Sequence, residues 1–114
     1  METWYYGDTF EIEFAYGKVI LIKTIGRNGL KTPDGIECGM KNSQLYKVYG
    51  IADEVHYVKG SEMYSPDESD RNIYFNKKLN LEYIYMANFN NAICFYVKQG
   101  IITSIMVWDY GHMG

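Results

Sequence analysis

One pattern, used twice, constrains what this chain can fold into. Phe10, Ile12 and Phe14 alternate with Glu11 and Glu13, Gly17 interrupts the run, and Val19 to Thr24 resumes it. Ile93, Phe95 and Val97 repeat the alternation, Gly100 interrupts it, and Ile102 to Val107 resumes it. Aligned on the glycines, Phe10 falls with Ile93, Ile12 with Phe95, Phe14 with Val97, Val19 with Ile102 and Ile22 with Ile105. Aromatic runs precede both copies, Trp4-Tyr5-Tyr6 and Tyr83-Ile84-Tyr85. A period of two around a glycine is the signature of a β-hairpin. A unit that recurs points to a modular β-rich scaffold.

The 114 residues suit a single domain, 1–114, with one core. The formal net charge is −3, and Lys and Arg are scattered without a basic stripe, which argues against nucleic-acid binding. No apolar run is long enough to span a membrane as a helix. The first residues lack the basic head and apolar stretch of a signal peptide. Location therefore depends on whether a leader once preceded Met1: extracellular or cell-envelope if it did, cytoplasmic if not. Two cysteines, Cys38 and Cys94, are too few for a disulfide framework and read as buried thiols.

Residues 4–25 read as a leading hairpin, with a strand over 4–14 kinked at Gly7-Asp8 and a turn at Ala15 to Lys18. Gly26-Arg27-Asn28-Gly29 breaks the chain. Pro33 and Gly35 make the next stretch an extended connector. It leads to a helix over Asn42–Tyr49, where Leu45, Val48 and Tyr49 share a face and Gly50 stands at the stop position. Val55 to Tyr64 reads as a strand or an irregular excursion, and Ser65 to Asn72 as a solvated loop. Leu79 to Met86 is a tyrosine-rich strand leading into the second hairpin, so strands occupy 55–109. The expected class is α+β: an antiparallel sheet of about four to six strands with one short helix on one face.

The connector and helix carry a resemblance. Thr32, Gly35, Ile36, Gly39, Leu45, Val48, Tyr49 and Gly50 match a Thr-x-x-Gly-Ile-x-x-Gly segment that leads into a helix ending in Tyr-Gly. This resembles the opening motif of β-lactamase-inhibitor-protein-like domains and of small outer-membrane assembly lipoproteins, in a variant of secreted or lipid-anchored Gram-positive proteins. It covers about residues 30–109, with a partial repeat at 4–25. Met40 and Lys41 stand where the family places Asp or Thr, and Ala52 where it tends to have Pro. The resemblance implies a helix on a four-stranded antiparallel sheet and non-enzymatic protein binding through the open sheet face. It does not imply any particular target.

Chemistry-bearing clusters are sparse, and no catalytic, cofactor-binding or metal site is assigned. Glu11 and Glu13 are explained by a polar strand face. Asp67, Glu68 and Asp70 lack the glycine and terminal glutamate of a calcium loop. His56 and His112 have no triad context, so neither cysteine is a nucleophile candidate. The aromatic set stands out: 12 of the residues are Tyr. Trp4, Tyr5, Tyr83, Tyr85 and Trp108 lie in or beside strands, either burying their rings in the core or forming a face that anchors a partner.

The expected function is a non-enzymatic protein-binding module, inhibitor-like or adaptor-like, that needs no cofactor. Two alternatives stand beside it: a structural or envelope-associated accessory domain of a larger repeat protein, and a small intracellular phage-type inhibitor. The leading hairpin also offers free edges, a route to a homodimer.

Overall fold

The computed structural model describes residues 2–6, 10–15, 18–26, 30–57, 63–86 and 91–109, with Glu2, Trp4–Tyr6, Ala15, Lys18 and Val19 described as backbone. Among these, eight strands form one antiparallel sheet: β1 (Glu2–Tyr6), β2 (Phe10–Ala15), β3 (Lys18–Ile25), β4 (Glu54–Tyr57), β5 (Met63–Tyr64), β6 (Leu81–Met86), β7 (Asn91–Lys98) and β8 (Ile101–Asp109). One α-helix, α1 (Ser43–Tyr49), and a 3-10 segment (Glu68–Tyr74) complete the described elements. The spatial order is β1-β2-β3-β8-β7-β6-β4-β5. The α+β class holds, with more strands than the four to six expected.

Two features raise the strand number. The stretch 4–14 is two strands, because Tyr6 pairs with Phe10 and the chain has reversed direction between them. The excursion after Val55 supplies β4, on β6, and the two-residue β5 outside it. The polar stretch after Ser65 is also more ordered than a solvated loop. The Asp67 carboxylate accepts the Ser69 N–H at 2.8 Å, and Asp70 accepts the Asp67 N–H at 3.0 Å. This reciprocal cap starts the 3-10 segment. At its far end Tyr74 is fully buried.

The two hairpins repeat in register as well as in sequence. Ile12 pairs with Ile22 as Phe95 pairs with Ile105, and Glu11 with Lys23 as Cys94 with Met106. Ala15 closes on Lys18 as Lys98 closes on Ile101. Both ladders slip at matching places, between Glu13 and Phe14 and between Tyr96 and Val97. A bulge conserved between copies bends both hairpins alike. The second turn is made by Gln99 and Gly100, at φ of 52° and 79°, a pair that matches the twist of the flanking strands. Gly100 is doubly required, since a Cβ there would stand 3.1 Å from the Lys77 backbone. Tyr16 and Gly17 of the first turn lie outside the described residues, as do Arg27, Asn28 and Gly29.

β3 and β8 join the two copies. Leu21 pairs with Trp108, Lys23 with Met106 and Ile25 with Ser104. Lys23 and Met106 are counterparts in the two hairpins, so the joint is a pseudo-twofold axis normal to the sheet. The meander β1-β2-β3 is carried by it onto β6-β7-β8. Trp4 then corresponds to Tyr83 and Tyr6 to Tyr85, as their pairings with Ile12 and Phe95 and with Phe10 and Ile93 show.

Among the described residues, only the second meander carries a helix. Leu45 from α1 joins Tyr83, Phe95, Val97, Ile102 and Ile105 in the main core, with Ile36 and Cys38 from the connector. The connector is fastened to β8 by Gly39 N–H to Ile102 O and Ile102 N–H to Met40 O, both 2.8 Å. Gly50 ends α1 as expected, its N–H bonded to Tyr46 O at positive φ. Asn42 stands at the helix start without capping it. Its buried amide donates instead to Ile73 O at 3.2 Å and Asn76 O at 3.4 Å, tying the helix to the 3-10 segment.

Burial departs from the pseudo-symmetry. Ile105 is 4% exposed, and its counterpart Ile22 is 39% exposed. Ile105→Ala is expected to cost about 3 kcal/mol, and Ile22→Ala about 1 kcal/mol or less. Urea denaturation of the two variants measures the difference; equal losses would mean that the two halves are equally covered.

Candidate functional site

Alternation along each strand sorts the sheet into two faces. On the helix-bearing face one cross-strand row runs Tyr85–Ile93–Val107–Ile22–Ile12–Trp4. A second row runs Tyr83–Phe95–Ile105–Thr24–Phe10–Tyr6, and the pseudo-twofold axis exchanges the two. Where α1 covers these rows they form core. Beyond it the first row surfaces, with Val107 40% exposed beside Ile22. Leu30, Lys31, Thr32 and Pro33 of the connector form a wall over this region, leaving a cleft of about 340 Å³ whose floor includes Phe10, Ile22, Ile105 and Val107. A second cleft, about 490 Å³, shares Val107 and runs past Ile93, Tyr85 and Tyr49. The Tyr49 hydroxyl lies 2.9 Å from the Thr32 hydroxyl, so the helix end and the connector meet between the clefts. This apolar strip, flanked by two clefts, is the candidate site.

Of the five aromatic residues singled out in the sequence, Tyr85 and Trp108 both line the second cleft. Tyr83 is fully buried, its hydroxyl donating to Ile73 O at 2.8 Å. Tyr85 is half-buried at the edge of the strip and donates to Gly50 O at 2.9 Å. Trp108 stands in a row of the opposite face, where its indole N–H points at the Cys94 sulfur 3.1 Å away, and it reaches the second cleft at the sheet's end. Tyr5 pairs with Glu11, in a row on that opposite face, and Trp4 pairs with Ile12, in the open row. The side chains of Trp4 and Tyr5 lie outside the described residues. The sequence reading missed Ile22, Val107, Leu30 and Pro33, because aliphatic residues in strands and connectors read as core. The one available signal was that the first hairpin has the apolar positions of the second but no helix behind it.

The tyrosines do a different job. The Tyr74 and Tyr83 rings meet at a tilt of 33° with centroids 4.8 Å apart, and the Tyr49 ring lies 5.2 Å from Tyr85 and 5.7 Å from Phe95. The Tyr74 hydroxyl accepts the Ala52 N–H at 2.6 Å. Rings fill the space between helix, 3-10 segment and sheet, while hydroxyls satisfy loop backbone that would otherwise be buried without partners. Tyr46, half-buried at the rim, adds a hydrogen bond to the Glu68 carboxylate.

Electrostatics mark no reactive group. Burial pushes the Cys94 thiol up to about 11, against a smaller lowering by the Trp108 N–H. Burial also raises Cys38, whose sulfur lies 3.9 Å from Thr24 O. Both thiols are free, so neither is in a disulfide and neither is activated as a nucleophile. His56 Nδ1 lies 3.5 Å from a Glu82 oxygen. His112 is outside the described residues. Among the described residues no three His, Cys, Asp or Glu side chains cluster to hold a metal, and no helix is long and apolar enough to cross a membrane.

No protein family, curated protein or solved structure matches the chain. Nothing in these comparisons identifies a β-lactamase-inhibitor-protein-like or assembly-lipoprotein-like domain over residues 30–109 or the partial repeat at 4–25.

Burial raises Tyr74, Tyr83 and Tyr85, so the folded protein holds their protons above the ordinary value near 10. The unfolded chain releases them there, so their contribution to stability is complete below pH 10 and is lost as pH rises beyond it. A titration followed at once by tyrosinate absorbance and far-ultraviolet circular dichroism should show the buried tyrosines ionising together with loss of strand signal. Full ionisation with the fold intact would contradict this burial. By the same logic, Cys38 and Cys94 should resist a thiol reagent at pH 8 until the protein is unfolded.

Proposed function

We propose that this protein is a non-enzymatic protein-binding module that docks its partner on the open half of the helix-bearing sheet face. The observation that carries this reading is the exposed pair Ile22 and Val107 at the centre of an apolar row, in a chain whose matching pair, Ile105 and Thr24, is buried. Side-by-side aliphatic residues at this exposure, between clefts walled by Leu30, Pro33 and Tyr49, form a contiguous apolar patch, and such patches mark interaction sites. Rigidity supports it too. The floor is sheet, with its backbone hydrogen bonds spent in the ladders on both sides, so little ordering cost accompanies binding. Tyr85 lines the second cleft, within reach of a docked partner, whereas Tyr83 is buried in the core.

The test is an Ile22→Thr, Val107→Thr double variant, which retains β-branching and so the strand preference. Wild-type protein is used to capture a partner, the partner is purified, and affinities are compared by calorimetry, with circular dichroism confirming the fold. The double variant should bind at least about tenfold more weakly, the worth of roughly 1.4 kcal/mol of apolar contact. A control variant on the opposite face, Lys23→Ala, should bind as wild type. A partner that binds the double variant and wild type equally would dismiss this face as the docking surface.

A further inference from the structure

Resting on the reading of the open face as a docking surface, we infer that its occupant is a short amphipathic helix, laid on β1–β3 as α1 is laid on β6–β8. Three observations carry this.

The first is the pseudo-twofold axis through Lys23 and Met106. It places Ile12 where Phe95 stands, Ile22 where Ile105 stands, and Phe10 where Ile93 stands. The second meander uses those positions to receive a helix: the Tyr49 ring lies 5.7 Å from Phe95, and Leu45, four residues earlier, is fully buried in the same core. The open half thus offers a floor with matching apolar positions and register.

The second is the state of the backbone. β2 and β3 are paired on both sides, so their N–H and C=O groups are already used. An extended peptide lying on this face would find no ladder to join, and its own polar backbone would be desolvated without partners. A helix satisfies its backbone internally and needs only an apolar stripe. Extended segments would bind at a sheet edge instead, which is a different place.

The third is the shape of the site. The cleft of about 340 Å³ runs between the connector wall at Leu30 and Pro33 and the leading meander. One large side chain from a helix fits there, and a residue four positions on lies on the same stripe to cover Ile22. The required partner chemistry is an aliphatic or aromatic pair at i and i+4, with polar residues on the remaining faces. The pair Leu45 and Tyr49 of α1 is the example already in the fold.

The experiment is a nuclear magnetic resonance titration of the isotope-labelled full chain with a side-chain-stapled helical peptide carrying the sequence 42–50. A copy of the same peptide with proline at the Leu45 position serves as the non-helical control. Amide shifts should concentrate at Ile12, Ile22, Thr24 and Val107 and saturate below about 1 mM, as a weak apolar contact would. The Ile22→Thr, Val107→Thr variant should weaken the titration about tenfold. Equal shifts from the proline peptide would overturn the helix inference and leave the docking surface standing. So would the absence of any shift at about 1 mM, or shifts centred on Leu45 and Phe95, which would mean that α1 had been displaced. The docking reading itself is judged separately, by whether the double variant still binds the captured partner.

Discussion

The antiparallel pairing of β3 with β8 is the constraint on which the rest of this structure depends. Each meander alone is a three-stranded sheet with two faces to hide. Pairing the last strand of one with the last strand of the other produces a single six-stranded platform, extended by β4 and β5. The same pairing fixes the pseudo-twofold axis, because equivalent residues Lys23 and Met106 face each other across it. A slip of one residue at this joint would turn Ile22 and Ile12 to the face opposite Val107, Ile93 and Tyr85. Cys38 and Gly26 brace the joint, the first beside Thr24 O and the second bonded to Thr103 O.

The symmetric platform is clothed asymmetrically, and the proposed docking surface rests on that. The connector between β3 and β4 crosses to the second meander, is hydrogen-bonded to β8 and delivers α1 onto Phe95 and Ile105. No equivalent segment among the described residues lies over Ile12 and Ile22. The two halves therefore present the same floor in two states, sealed and open. The tyrosines belong to the sealed state. Their length bridges helix, 3-10 segment and sheet, and their hydroxyls serve Gly50 O, Ile73 O and the Ala52 N–H, backbone groups in places where the chain is irregular. Replacing such rings with aliphatics would fill space and leave those groups unpaired.

The opposite face needs no second layer to be dry at its centre. Trp108 packs with Ile84, Ala92 and Cys94 and also with Ile20 and Leu21. Charged and polar groups, among them Lys23 over the Tyr96 ring at 5.7 Å and the His56–Glu82 pair, surround that patch. Trp108 therefore serves as cover for this face, while its edge also reaches the second cleft beside Tyr85.

Much of this was legible in the chain. The glycine-centred alternation gave both hairpins and their matching residues, and the Leu45, Tyr49 and Gly50 spacing gave the helix and its stop. Those features rest on local rules, a period of two, a period near 3.6 and the freedom of glycine at positive φ, which neighbouring residues suffice to impose. The strand reversal at 6–10, the ordering of 63–74 and the identity of the exposed residues were not legible. Ile22 and Ile105 are the same residue type in the same pattern, and nothing local distinguishes them. Sequence by itself determined that two like hairpins would form. Only the tertiary structure decided that they share one sheet and that, among the described residues, one alone is roofed, because strand order and burial depend on where a distant segment, the connector with α1, comes to lie.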